Sequence, residues 1–194
     1  TVTIAPPLLV AATGNTSICP GVPTNISAIA TQGNGGPYTY TWAPVGTGAG
    51  SAVSVSPTVT TTYTVTATDG CLSTATSTVA ITVFPIPVIA FNADTSSGCA
   101  PLCVSFSNNS TVVGGTISSW YWNFGDGQSD TLSAVMHCYQ NAGSYSVSLS
   151  VTTNNGCVNT FTQNNYITVF PVPIDIVFYN GFTPNMQEQM VLLT

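Results

Sequence analysis

One short phrase occurs twice in this chain. Residues 81–87 read ITVFPIP and residues 167–173 read ITVFPVP, and a looser version, TVTIAPP, occupies residues 1–7. Each is a run of alternating apolar and polar residues closed by prolines. Proline has no N–H to give to a central ladder and favours extended backbone, so each phrase reads as a last strand running into a stiff joint. Repeats at a fixed period mark structural units. The chain therefore divides into residues 11–84 and residues 85–173. Residues 1–10 read as an N-terminal strand or the end of a preceding module, and residues 174–194 as a C-terminal segment.

Between the joints the periodicity is two. Residues 51–56 (SAVSVS), 62–68 (TYTVTAT) and 144–151 (SYSVSLSV) alternate β-branched, aromatic or aliphatic residues with small polar ones, and Gly/Asn/Pro clusters separate such runs. Alternation of this kind buries one face of a strand and wets the other. Many short strands without capped helical periodicity predict an all-β fold of two tandem β-sandwiches joined by a Pro-containing linker. Disorder is excluded by the content of β-branched and aromatic residues, since 44% of the chain is hydrophobic. Apolar runs are too short to span a bilayer.

The charge pattern excludes whole classes of partner. The chain has no lysine or arginine, six acidic residues and one histidine, a formal charge of −6. Nothing in it can neutralise phosphates, which rules against nucleic acid and anionic lipid. It also offers no site to a trypsin-like protease. Six cysteines, an even number without a CxxC pair, favour disulfides over zinc and hence a secreted, extracellular or cell-surface location. Start-to-end logic pairs Cys19 with Cys71 in the first module, a loop worth about 3–4 kcal/mol in the chain-entropy model. The same logic ranks Cys99–Cys157 with Cys103–Cys138 first among the three connectivities open to the second module.

In the second module the run Trp120 to Gly127 (WYWNFGDG) is followed by His137-Cys138-Tyr139 and by Gly143 to Val151 (GSYSVSLSV). This resembles the PKD domain family, whose marker is W-x-F-G-D-G, then H-x-Y, then G-x-Y-x-V-x-L-x-V, over residues 88–170. The resemblance implies an immunoglobulin-like sandwich serving as spacer, adhesion unit or companion of secreted catalytic domains, without an active site of its own. Trp122 and Phe124 have the spacing that sends both to one face, toward the core. Gly125-Asp126-Gly127 turns the chain, and Asp126 suits an Asx-type turn. Calcium prefers six to eight oxygens, so Asn123, Asp126 and Asp130 are only weak metal candidates. His137 has no second histidine to join it and reads as a packed, hydrogen-bonded side chain. No cofactor is implied.

The first module, through Ser17 to Gly21 (SICPG), Tyr38 to Trp42 (YTYTW) and Thr60 to Cys71 (TTTYTVTATDGC), resembles the immunoglobulin-like repeats of secreted surface proteins from Bacteroidetes-type bacteria. Phe182-Thr183-Pro184-Asn185 resembles the opening of a gliding-motility-associated C-terminal sorting domain, without its acidic glycine turn. Thr131, after Asp130, fits an O-glycosylation pattern of the same bacteria. No catalytic constellation is legible: the lone histidine has no nucleophile pattern beside it, and Asp126 and Asp130 read as turn residues. The leading expectation is a structural or adhesive homopolymer, a filament or stalk in which an apolar end completes a neighbour's sheet. Val2, Ile4, Leu8, Val10, Val191 and Leu193 are the candidate assembly positions, and neighbouring modules of the same chain are an equivalent partner. The alternative is a non-catalytic carbohydrate-binding or spacer segment of a secreted hydrolase, with Trp120 and Tyr121 as candidate glycan-stacking residues.

Overall fold

The computed structural model describes residues 5–173, which contain fifteen strands and no helix. Seven strands build the first unit: β1 (Leu8–Gly14), β2 (Ser17–Ile18), β3 (Thr24–Gln32), β4 (Thr39–Ala43), β5 (Ala52–Val55), β6 (Thr61–Thr68) and β7 (Thr74–Val83). They form a three-stranded sheet, β1-β3-β5, and a four-stranded sheet, β2-β7-β6-β4. Eight strands build the second unit: β8 (Phe91–Ala93), β9 (Ser97–Cys99), β10 (Leu102–Asn108), β11 (Ile117–Asn123), β12 (Ser129–Asp130), β13 (Ala134–Tyr139), β14 (Gly143–Thr153) and β15 (Val158–Phe170). Their sheets are β13-β10-β8 and β12-β11-β14-β15-β9. The chain is all-β, in two tandem sandwiches, as the period-two pattern requires.

Alternation decides what each strand buries. In β6, Tyr63, Val65 and Ala67 point inward and the intervening threonines outward. They meet Ile26, Ala28, Trp42, Val55 and Ile81 in the first core. In β14, Val147, Leu149 and Val151 are fully buried and the serines between them face outward. They pack with Phe91, Phe106, Trp122, Phe124, Tyr139 and Ile167 in the second core. The repeated ITVF phrase closes both units: β7 ends at Val83 and β15 at Phe170, each running directly into its prolines.

One short element is built alike in both sandwiches and fixes where their cysteines lie. β2 pairs in parallel with the end of β7, Ser17 opposite Thr82 and Ile18 opposite Val83. β9 does the same at the end of β15, Ser97 opposite Thr168 and Gly98 opposite Val169. Thr82 and Thr168 are the same residue of the repeated phrase, so Cys19 and Cys99 occupy equivalent positions.

The N-terminal strand departs from expectation. The sequence predicts residues 1–10 as an N-terminal strand or the end of a preceding module, yet Leu8 and Val10 lie in β1, paired with Gln32 and Ala30 of β3. Leu8 is buried against Ala30 and Ala67, and Val10 packs between the two apolar clusters of the first sandwich. Its own module consumes this strand because those cores need an apolar first strand to cover them. Val2, Ile4, Val191, Leu193 and the residues 182–185 that resemble a sorting signal lie outside the described residues.

Candidate functional site

The Gly125-Asp126-Gly127 corner lies just after β11, where the chain turns toward β12. Asn123 Oδ1 accepts the Gly125 N–H at 2.9 Å, and Asp126 Oδ1 accepts that of Gln128 at 3.0 Å. Gly125 has φ of +84°, and a Cβ there would stand 2.5 Å from the Ser146 carbonyl oxygen of β14. Only glycine satisfies both demands. From β13, His137 brings Nε2 to 2.7 Å from Asp126 Oδ2, and its ring stacks on Phe124 with centroids 4.0 Å apart and planes within 5°. Tyr139 meets the imidazole edge-on and donates its hydroxyl to the Phe124 carbonyl at 3.1 Å. Burial, and after it the Asp126 charge, pushes the Tyr139 phenol above the usual tyrosine range.

This arrangement is a structural lock. His137 is buried and Asp126 half-buried, so the imidazole closes the corner and the carboxylate satisfies its N–H. The three calcium candidates are not assembled into a cage. Asn123 and Asp126 are engaged as above, and Asp130 Oδ1 accepts the N–H groups of Thr131 and Leu132 at 2.6 and 2.8 Å. Those oxygens face amide protons, which repel a cation. Among the described residues no group of three or more His, Cys, Asp or Glu side chains could hold a metal ion.

The two glycan candidates point to opposite faces of β11. Trp120 turns inward beside Trp122 and is half-buried against the core, its Nε1 buried without a hydrogen-bond partner. Tyr121 is half-exposed on the outer face, opposite Ser150. Ser150 bonds Thr160 there, so the tyrosine stands among hydroxyls and not in an aromatic platform. Thr131 is exposed in the loop after β12.

The cysteines give the feature that sets this chain apart. Cys103 and Cys138 face each other across β10 and β13 and are bonded. The other bond is Cys19–Cys157, which joins the first sandwich to the second across 138 residues, with the Cα atoms 5.5 Å apart. Cys71 and Cys99 are free and exposed. The expected Cys19–Cys71 and Cys99–Cys157 bonds are therefore absent, and strand direction explains why. Because β2 runs parallel to β7, Cys19 lies beside the end of β7, whereas Cys71 lies in the turn before its start. Ten residues of strand, roughly 30 Å, separate these ends, far beyond the span of a disulfide. Cys99 beside Phe170 and Cys157 beside Val158 are parted in the same way by the thirteen residues of β15.

Around the Cys19–Cys157 bond the joint is tied by polar contacts as well. Phe84 N–H donates to the Ile18 carbonyl at 3.0 Å, and Val88 exchanges two backbone bonds with Thr111. Asn159 Nδ2, one turn of alternation beyond Cys157, donates to the Pro87 carbonyl at 2.9 Å. The proline linker is thus held to the first sandwich at Phe84 and to the second at Pro87.

A family model for the PKD domain matches residues 85–169. Residues 85–169 are a PKD domain. The match begins at the proline joint and ends one residue before the end of β15, so it covers the whole second sandwich. A PKD domain is a non-catalytic unit. The chain is 42% identical over 80 residues to a microbial collagenase of Vibrio alginolyticus, a stretch covering 41% of this chain and 10% of that protein. It is 44% identical over 62 residues to the pre-pro-metalloprotease PrtV of Vibrio cholerae, covering 32% of this chain and 7% of that protein. The chain thus spans a tenth or less of the curated relatives it matches. Among solved structures, the PKD1 domain of Vibrio anguillarum Epp is 37% identical, with 43% of this chain and 95% of that one covered and a TM-score of 0.39.

The sequence placed the PKD corner residues correctly in the core and turn but missed the bond across the joint. A signal for it existed. Cys19 stands twelve residues after Pro7 and Cys99 twelve after Pro87, the last prolines of two copies of the repeated phrase, which makes the cysteines counterparts rather than members of two self-contained pairs.

Proposed function

We propose that this chain is a non-catalytic, extracellular spacer of a secreted protein, in which a PKD domain and a preceding β-sandwich are held as one stiff unit. The observation that carries this reading is the Cys19–Cys157 bond. A disulfide between two sandwiches, beside a proline linker already tied at Phe84 and Pro87, removes the free rotation that a short linker alone permits. Such a unit holds whatever flanks it at a fixed distance. Disulfides fit an oxidising compartment, and a surface without lysine or arginine resists trypsin-like proteases outside the cell. The secreted collagenase and metalloprotease relatives support a hydrolase as the flanking protein.

The carbohydrate-binding form of this reading has less behind it, because Trp120 faces the core and Tyr121 stands alone. Polymerisation by strand exchange has lost Leu8 and Val10 to the first sandwich's own sheet.

NMR relaxation of the intact chain tests the spacer. Both sandwiches should tumble with one correlation time, and replacing Cys19 and Cys157 together by serine should give two shorter ones with little change in either sandwich's own spectrum. Independent tumbling of the unaltered chain would refute the reading.

A further inference from the structure

The free cysteines repeat, at the end of each described sandwich away from the joint, the parts that are bonded at the joint. Cys99 is the counterpart of Cys19: both follow a short strand laid in parallel on the last strand of their sandwich, opposite the same repeated phrase. Both phrases continue into equivalent proline linkers, Pro85-Ile86-Pro87 and Pro171-Val172-Pro173. Cys19 is bonded to a cysteine in the turn before the last strand of the following sandwich, between β14 and β15. Cys71 lies in the corresponding turn of the first sandwich, between β6 and β7. The two turns are built alike. Asp69 N–H bonds the Ser73 carbonyl as Thr153 N–H bonds that of Cys157, and Cys71 stands two residues earlier, at the exposed tip.

We propose that Cys99 and Cys71 are the two halves of a further inter-sandwich disulfide, through which one copy of this chain bonds head to tail to the next. Cys99 of one copy would take the place of Cys19, and Cys71 of the next copy the place of Cys157. Two exposed thiols alone would not carry this. The bonded pair at the equivalent joint supplies the independent sign of what each half binds.

The surroundings suit the docking of a second copy. Phe84, at the occupied joint, is half-buried, whereas its counterpart Phe170 is 50% exposed and Val172 beyond it 64% exposed. Leu72, next to Cys71, is 82% exposed with φ of +66°. An apolar end therefore stands beside Cys99, and an apolar residue beside Cys71 is available to cover it. The ends differ from each other, so the contact is heterologous and extends into an open chain of copies. A bond within one copy is blocked by geometry. Cys71 lies a full β7 from the joint and Cys99 a full β15 from it, on different sandwiches.

The chemistry balances with an external disulfide such as oxidised glutathione as the electron acceptor. Its attack by one thiolate releases one glutathione thiol and leaves a mixed disulfide. The thiolate of the second copy displaces the other, so two protein thiols become one disulfide while glutathione disulfide becomes two thiols. The two native bonds are not disturbed.

The test uses the full chain in a glutathione redox buffer. The unaltered chain should give a ladder of dimers, trimers and longer species that collapses on reduction. Then ¹⁵N-labelled Cys71→Ser, which keeps Cys99, is mixed with unlabelled Cys99→Ser, which keeps Cys71, and read by intact mass. Heterodimer should exceed the two homodimers together by about tenfold, the gain expected when docking raises the local thiol concentration. Pepsin peptides, needed because trypsin has no site, should contain Cys71 bonded to Cys99. A statistical mixture of homodimers and heterodimers, absence of reducible dimer, or a Cys71–Cys99 bond within monomer would each overturn the proposal. Because only the ends are involved, a chain whose two sandwiches tumble separately would leave this result standing, and the spacer reading would fail alone.

Discussion

The two sandwiches share a strand plan but are held together by different means. The second has an aromatic core in which Trp122 touches Phe91 edge-on at 5.2 Å and tilts against Phe106 at 5.7 Å, with Phe124, His137, Tyr139 and Tyr145 continuing the stack. It adds an internal disulfide, Cys103–Cys138. The first packs Ala28, Ala30 and Ala67 among a few aliphatic residues, with Trp42 and Tyr63 as its large members, and among the described residues it has no disulfide of its own. In place of one it has the buried Asp69 network and the bond to its neighbour. The difference teaches that the two halves reach stability by separate routes, the PKD domain through aromatic packing and its own disulfide, the first sandwich through a smaller aliphatic core and a buried carboxylate.

The largest effect should come from the tryptophans that occupy equivalent places. Trp42 lies opposite Val65 and Trp122 opposite Leu149, and each indole N–H donates to a loop carbonyl, of Gly50 and Leu132 respectively. Truncating a buried tryptophan costs about 3–5 kcal/mol. Trp122→Ala should sit at the upper end, because three aromatic rings lose their partner, and Trp42→Ala at the lower end. Chemical denaturation followed by domain-resolved NMR would measure both. A larger loss at Trp42 would reverse the ranking of the two cores.

A smaller effect is expected from the internal disulfide. Replacing Cys103 and Cys138 together by serine should cost the PKD domain about 2–4 kcal/mol and leave the first sandwich's transition in place. If both transitions fall together, the halves are not independent and the comparison breaks.

Much of this contrast is legible in the amino-acid sequence. The period-two runs gave the strands, and the spacing of Trp122 and Phe124 gave their inward direction. The proline phrases gave the joint. What could not be read was strand direction at β2 and β9, since elements of two and three residues carry no periodicity. That direction alone decides whether Cys19 reaches Cys71 or Cys157. The edge of the first module was lost for a related reason. An apolar strand beside a proline joint looks the same whether it covers its own core or a neighbour's, and only the pairing of Leu8 with Gln32 distinguishes them. Equally hidden was the contact of His137 with Asp126, which depends on β13 placing position 137 under a turn eleven residues earlier.

The smallest and most selective effect concerns acid. The same turn is closed in the first sandwich by a carboxylate and in the second by a hydroxyl. Asp69 Oδ1 accepts the N–H groups of Cys71 and Ser73, both at 2.9 Å, and Oδ2 accepts the backbone and side-chain N–H of Asn34 at 2.9 and 3.1 Å. Thr153 Oγ1 accepts only Cys157 N–H, at 3.1 Å. The Asn34 backbone bond foremost, against the opposing effect of burial, holds the Asp69 carboxyl down at about 2. A folded-state value below that of the unfolded chain means that ionised Asp69 stabilises the fold in full above the ordinary aspartate value of about 3.9. That contribution is lost as pH falls from there toward about 2, when the proton binds the folded form as well. Asp94 in the PKD domain is lowered too, through the Ser105 N–H, but it is exposed, so its share should be smaller. Between about pH 5 and about pH 2 the first sandwich's denaturation midpoint should therefore fall further than the second's. Asp69→Asn should lower the first midpoint at neutral pH and flatten its pH dependence, while leaving that of the PKD domain unchanged. Equal acid sensitivity in both sandwiches would show that the Asp69 network is not what distinguishes them.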